Sequence, residues 1–345
     1  MPMPPADTGT PMQMMDGQGI MWMPSQPPTI ARLLDFHPQP VPMLPVFAVL
    51  LLVAYLLGVW LLHRRGVRWP LTRTLWWILG VALVWEATAT GLDGYGMELF
   101  SVHMIQHMIL SMFAPIFLVM AAPMTLLLRT LPAASGHRWS ARSLLLRLLH
   151  SRFARVMTNP IVTGALFVMS LYGLYFTPIF DVLMRTMWGH NLMLIHFLLI
   201  GMLYFWSIVG ADPSPRRYST RHRNLSAPAT RIFELFATTP FHAFFGIVVM
   251  MSTVLIVHWY SMPMPGWGIS PLADQRVGGG IAWATTELPT LIVLGALFWQ
   301  WQKSEKRHDR ANDRKIARFG DVDLDAYNSY LASLATHDTS ESGRS

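Results

Sequence analysis

Cysteine is absent from the 345 residues, which excludes disulfides, thiolate metal sites and thiol redox chemistry. A soft-metal site in this chain has to be built from His and Met. Charge is scarce too: Asp, Glu, Lys and Arg make up 13% of the chain, about half of what a soluble domain carries. No HExxH, Gly-x-Ser-x-Gly or Ser-His-Asp pattern is present, so the usual hydrolase signatures do not apply. "DQRVGGGIAW" is rich in glycine but lacks the Lys-Ser/Thr and the strand–loop–helix setting of a phosphate-binding loop. No repeat of fixed period is visible, which weighs against a duplicated transporter.

What the chain has in quantity is apolar sequence, 52% of its residues, gathered into long blocks. Seven blocks, near 43–63, 73–91, 101–128, 160–177, 188–210, 231–258 and 281–301, match the roughly 20 helical residues that cross a hydrocarbon core. The expected class is therefore all-α, a polytopic membrane protein of seven transmembrane helices, because only helices satisfy the backbone in such segments. A barrel would show alternating segments of about ten residues, and none appear. Residues 43–302 form the expected membrane domain. Residues 1–42, rich in Met and Pro, read as a disordered or extended exterior tail. They do not read as a cleaved signal peptide, since no basic stretch precedes a short apolar core. Residues 303–345 form a charged cytoplasmic tail with a weak helical pattern around "DLDAYNSYLASL".

The net charge of +7 sits in alternate loops, so lipid topology explains it and nucleic acid is not implied. Arg64, Arg65, Arg68 and Arg73 follow the first span; Arg129, Arg138, Arg142, Arg147, Arg152 and Arg155 follow the third. Arg216, Arg217, Arg221 and Arg223 follow the fifth, and a basic run follows the seventh. The intervening loops are nearly free of positive charge. The positive-inside rule then puts the N-terminus outside and the C-terminus in the cytoplasm. Trp and Tyr near span ends fit interfacial belts, and Pro115, Pro123 and Pro240 are expected to kink their helices.

With sides assigned, ionisable residues cluster at the exterior ends. His103 and His107 open the third span, His190 opens the fifth with His196 deeper, and His258 ends the sixth. Glu86, Asp93 and Glu287 lie at similar depth. In "SVHMIQHMILSM" the i,i+4 histidines point within about 40° of each other, a spacing that can ligate one ion. Met104 and Met108 point about 100° away from that face. His103, His107, His190 and His258 are the expected metal ligands, with Met104, Met108 and His196 as lesser candidates. Glu86, Glu287 and Asp93 would balance charge or orient rings, since a carboxylate inside a span is a functional signal by default. Copper is the expected metal, because imidazole and thioether suit Cu(I). The methionines of residues 1–23, with Met262 and Met264 beside His258, could collect it, although composition bias explains the tail equally well. His196 and His242 read as interhelical hydrogen-bonding groups. At 1.5 Å per residue, His242 would lie about 24 Å inward of His258. Two other readings stay open: a bis-His heme site joining the third and fifth spans, and a proton or ion relay through Glu86, Glu287 and His242.

The blocks "FSVHMIQHMILSMFAPIFLVMAAPMTLLLR", "LYFTPIFDVLMRTMWGHNLMLIHFLLIGMLYFWSIVGADPSPRR", "TTPFHAFFGIVVM" and "GGGIAWATTELPTLIVLGALFWQW" resemble the seven-helix CtaG-type cytochrome c oxidase assembly factors. The resemblance runs from about residue 43 to "AYNSYLASL" and omits the Met-rich start. It implies a non-catalytic protein of the bacterial inner membrane that helps mature the copper-containing subunit of cytochrome c oxidase, its partner. A single-span, cysteine-using copper-delivery protein can share that family name, and this cysteine-free chain is unlike it.

Overall fold

The computed structural model describes residues 21–132, 140–213, 227–262, 266–319, 324 and 326–332. The described chain is helical, in this order: α1 Ile30–Leu34, α2 Met43–Arg64, α3 Leu71–Ala89, α4 Gly91–Glu98, α5 Phe100–Met108, a π-helical turn Ile109–Phe113, α6 Ala114–Met120 and α7 Pro123–Thr130. Then follow α8 Ala141–Leu149, α9 Arg152–Met157, α10 Pro160–Tyr175, α11 Ile179–Met184, α12 Met187–Val209, α13 Ala227–Met251, a 3-10 turn His258–Ser261 and α14 Pro271–Phe319.

Among the described residues, five helical segments are long and apolar enough to cross a membrane: Met43–Arg64, Phe100–Met120, Met187–Val209, Thr230–Met251 and Pro271–Lys303. The second and fourth expected spans correspond to α3, of 19 residues, and α10, of 16. The segment Phe100–Met120 forms the centre, with 78% of its apolar window buried against 28% for Met43–Arg64. α3 packs on α2 and α6, α6 on α12, and α12 on α10.

Proline and glycine set the local geometry of that central segment. Pro115 cannot donate to the carbonyl of Ser111 four residues back, and the π turn lies directly before it. Gly201 of α12 seats against the same carbonyl: a Cβ at 201 would overlap the Ser111 oxygen and lie 2.7 Å from Pro115 Cγ. The third expected span breaks where Ala122 adopts φ 54° and Pro123 starts α7. Asp212 then caps α7 from outside, accepting from the Thr125 backbone N–H at 2.7 Å and the Met124 N–H at 3.0 Å. Pro240 lies inside α13. That helix stops at Met251, seven residues before His258, so a continuous helical rise does not separate His242 from His258.

Of the Met/Pro-rich start, residues 1–20 lie outside the described residues. Residues 21–42 pack on the bundle. Met21 and Met23 are buried, Trp22 stacks on His37, and Gln39 exchanges hydrogen bonds with the Trp22 backbone. Tyr95 of α4 donates to the Gln26 carbonyl at 2.9 Å. The apolar content that looked too sparse for a core of its own is sufficient to extend an existing one.

The chain divides into two compact units, residues 1–294 and 295–345. The second contains the end of α14 and the helical stretch 326–332, with Lys303 over the Trp299 ring at 4.9 Å. Met264, Arg138 and Arg216, Arg217, Arg221 and Arg223 lie outside the described residues.

Candidate functional site

α5 carries His103 and His107 into the middle of the first unit, and its start is held by another helix. Its N-cap, Leu99, offers no side-chain oxygen. Asp274 of α14 supplies one, accepting from the Ser101 backbone N–H at 3.3 Å and from the Ser101 hydroxyl. A carboxylate at a helix N-terminus also suits the helix dipole. Two residues on, His103 is 0% exposed, and its Nε2 lies 3.0 Å from the Tyr175 hydroxyl. The ring meets Phe180 edge to face at 4.9 Å.

His107 lies one turn deeper, edge to face with Phe197 at 4.3 Å. Its Nε2 is 3.5 Å from the Ser111 hydroxyl, which itself donates to the His107 carbonyl at 2.7 Å. Across from it stands His242 of α13, ring centroids 6.1 Å apart and planes within 13°. His242 Nδ1 is 2.8 Å from the Thr286 hydroxyl, so the expected interhelical hydrogen bond is present. His196, half-buried, bonds Ser170 at 2.5 Å in the same role.

His190 enters at the other end of the group. Its Nε2 lies 3.9 Å from Asp93 Oδ1, and the same oxygen accepts from Gln106 Nε2 at 2.7 Å. Asp93 is 3% exposed, in the first turn of α4. Burial raises its carboxyl above the usual range, and the His190 ring and hydrogen bonds from Gln106 and Gln39 oppose that shift. Trp259 and Tyr260 close this end, donating to the Met97 and Gly96 carbonyls at 2.8 and 2.7 Å.

Four histidines, His103, His107, His190 and His242, are thus buried in one aromatic interior. Each keeps one ring nitrogen without a hydrogen-bond partner: Nδ1 in His103 and His107, Nε2 in His190 and His242. Buried polar atoms are nearly always paired, so four orphans together call for a reason.

The other expected residues are placed differently. His258 is exposed on the 3-10 turn. Met104 and Met108 are buried. Glu86 is half-buried, with Oε1 lacking a partner. Glu287 is exposed on α14, while Thr286 beside it turns inward to His242. Among the described residues no three His, Asp or Glu side chains converge tightly enough to hold one metal ion. His103, His107 and His190 share an interior without forming a closed ligand set.

Sequence reasoning did not group His242 or Tyr175 with this site. His107 and His242 lie on different spans, and only the helix ending at Met251 rather than at His258 removes the depth that separated them. No periodicity announces that ending.

A family model described as "Cytochrome c oxidase caa3 assembly factor" matches residues 53–304. Relatives include an uncharacterised protein of Mycobacterium bovis and one of Mycobacterium tuberculosis, each 44% identical over 314 residues. One from Mycobacterium leprae is 41% identical over 313. In each case 90% of this chain aligns with 46% of the relative, so the chain spans about half the length of the curated relatives it matches. No solved structure matches it.

Proposed function

Because the chain belongs to the cytochrome c oxidase caa3 assembly factor family, we propose that it helps assemble a cytochrome c oxidase by handling copper destined for it. The chain is a multi-pass protein of the bacterial plasma membrane, with seven spanning segments and its N-terminus outside. It is a copper chaperone rather than an enzyme, and its partners are oxidase subunits within the bilayer.

One observation carries this reading: four buried imidazoles, each with a ring nitrogen that makes no hydrogen bond, in a chain that has no thiol. Neutral imidazole is a good copper ligand, and an interior of incomplete ligand sets suits an ion that must leave again. His103, His107 and His190 are the ligands of that interior. Asp93, which accepts from Gln106, faces Nε2 of His190 at 3.9 Å and would balance the charge of an ion bound there. His258, exposed on its turn, would collect the ion first, helped by the exposed thioether of Met262.

The test is a Cu(I) titration of the purified chain against a competing chelator. The wild type is expected to hold copper, and His103→Ala/His107→Ala to bind it at least about 100-fold more weakly, the scale that orienting partners alone reach. Equal affinity in both would remove these histidines from the account.

A further inference from the structure

We propose that His107 and His242 together hold one Cu(I) ion in two-coordinate fashion, as an inner station beyond the outer histidines. This rests on the copper-handling reading above.

The hydroxyls behind the two rings decide which nitrogen of each is bare. Thr286 donates its own proton to the Ala282 carbonyl at 2.6 Å, so its oxygen can only accept from His242 Nδ1–H at 2.8 Å. That leaves a lone pair on His242 Nε2, which has no partner. Ser111 likewise donates to the His107 carbonyl, so it accepts from His107 Nε2–H and leaves the lone pair on Nδ1, also without a partner. Both rings are therefore held as neutral ligands by a hydrogen bond on the opposite nitrogen, the arrangement that supports metal-bound histidine.

The two rings lie nearly parallel, planes within 13° and centroids 6.1 Å apart, a separation on the scale of two metal–nitrogen bonds near 2 Å plus the inner half of each ring. Both rings line a cavity of about 10 Å³, together with Ser111, Ser170 and Phe197, among others. That volume is about the minimum for a single water, enough for an ion and far too small for a porphyrin. No carboxylate lines it, so a monovalent soft cation is favoured over a divalent one, whose charge would stay uncompensated in an apolar setting. The π turn begins two residues after His107, and such bulges frequently mark functional sites. The ion moves by exchanging one imidazole for another: a nitrogen–copper bond forms as another breaks, the departing ring keeps its electron pair, and copper stays Cu(I).

The test uses the full chain, purified and reduced, titrated with Cu(I) to its stoichiometric end point. His242→Asn can keep the bond to Thr286 through its amide but lacks Nε2, and is expected to bind one equivalent fewer than the wild type. Thr286→Val leaves both rings in place and frees the tautomer. It is expected to weaken that equivalent about ten- to a hundredfold, and it serves if His242→Asn does not fold. X-ray absorption of the inner equivalent should show two nitrogen neighbours. A folded His242→Asn chain that binds as many equivalents as the wild type would overturn the inner station while leaving the outer histidines standing. A wild type that binds no copper would overturn both.

Discussion

Replacing Gly201 by alanine is expected to destabilise the bundle by about 3 kcal/mol or more, at the upper end for an overpacked core. The α12 backbone passes so near the π turn that a methyl group at 201 would overlap the Ser111 carbonyl oxygen. It would also lie 2.9 Å from the carbonyl carbon and 2.7 Å from Pro115 Cγ. Two of those atoms are backbone, and the third is a proline ring whose position is fixed by its own helix. None can swing aside as a flexible side chain would. The π turn would have to shift, carrying His107 with it, and the pairing with His242 would open. Thermal unfolding in detergent should show the Gly201→Ala chain melting well below the wild type, or no folded protein at all. Melting within a degree of the wild type would mean that the contact between α12 and the π turn is looser than described. Gly173, by contrast, has nothing within 4 Å of an added Cβ, so Gly173→Ala is the matched control and should leave stability nearly unchanged or slightly raised.

Removal of Asp93 is expected to have the next largest effect. Its carboxylate is buried at 3% exposure, faces His190 at 3.9 Å and accepts from Gln106 at 2.7 Å. Asp93→Ala strips His190 of a facing carboxylate and leaves Gln106 Nε2 with the Ala87 carbonyl at 2.8 Å. Breaking a buried charged or hydrogen-bonded pair from one side costs about 2–4 kcal/mol, because the remaining polar atoms stay buried without partners. Asp93→Asn preserves shape and one acceptor oxygen, and should cost about 1 kcal/mol. The ordering wild type, Asn, Ala in melting temperature is the expected outcome. An Ala variant as stable as the Asn variant would show that the carboxyl group contributes only its volume.

Much of the architecture was legible in the residues because the bilayer imposes a simple length rule on apolar helices. α2, α12 and the start of α5 fall within a residue of the expected boundaries. Legibility fails where tertiary packing, rather than composition, decides. The sixth expected span ends at Met251 instead of 258, since "STVLIVHWY" is apolar enough to continue but is held instead by Gln275, whose amide oxygen accepts from the Ile256 N–H at 2.7 Å. Residues 21–42 pack because Gln39 and Tyr95 satisfy their backbone, contacts invisible to a local reading. For the site, His103, His107 and His190 were identifiable from span depth and i,i+4 spacing. His242 was not. Its proposed role depends on Thr286, on α14, fixing its tautomer, and on α13 bringing it against His107.

If the buried histidines handle copper for the oxidase, the copper content of the assembled enzyme reports on it most directly. The measurement is the copper-to-heme ratio of cytochrome c oxidase purified from cells that carry either the wild-type chain or His107→Gln as their only copy. Glutamine can retain the bond to Ser111 while removing Nδ1. The account predicts oxidase deficient in copper, by about tenfold or more, at unchanged heme content, with partial recovery when copper is added to the medium. Oxidase with a full copper complement from the His107→Gln cells would contradict it.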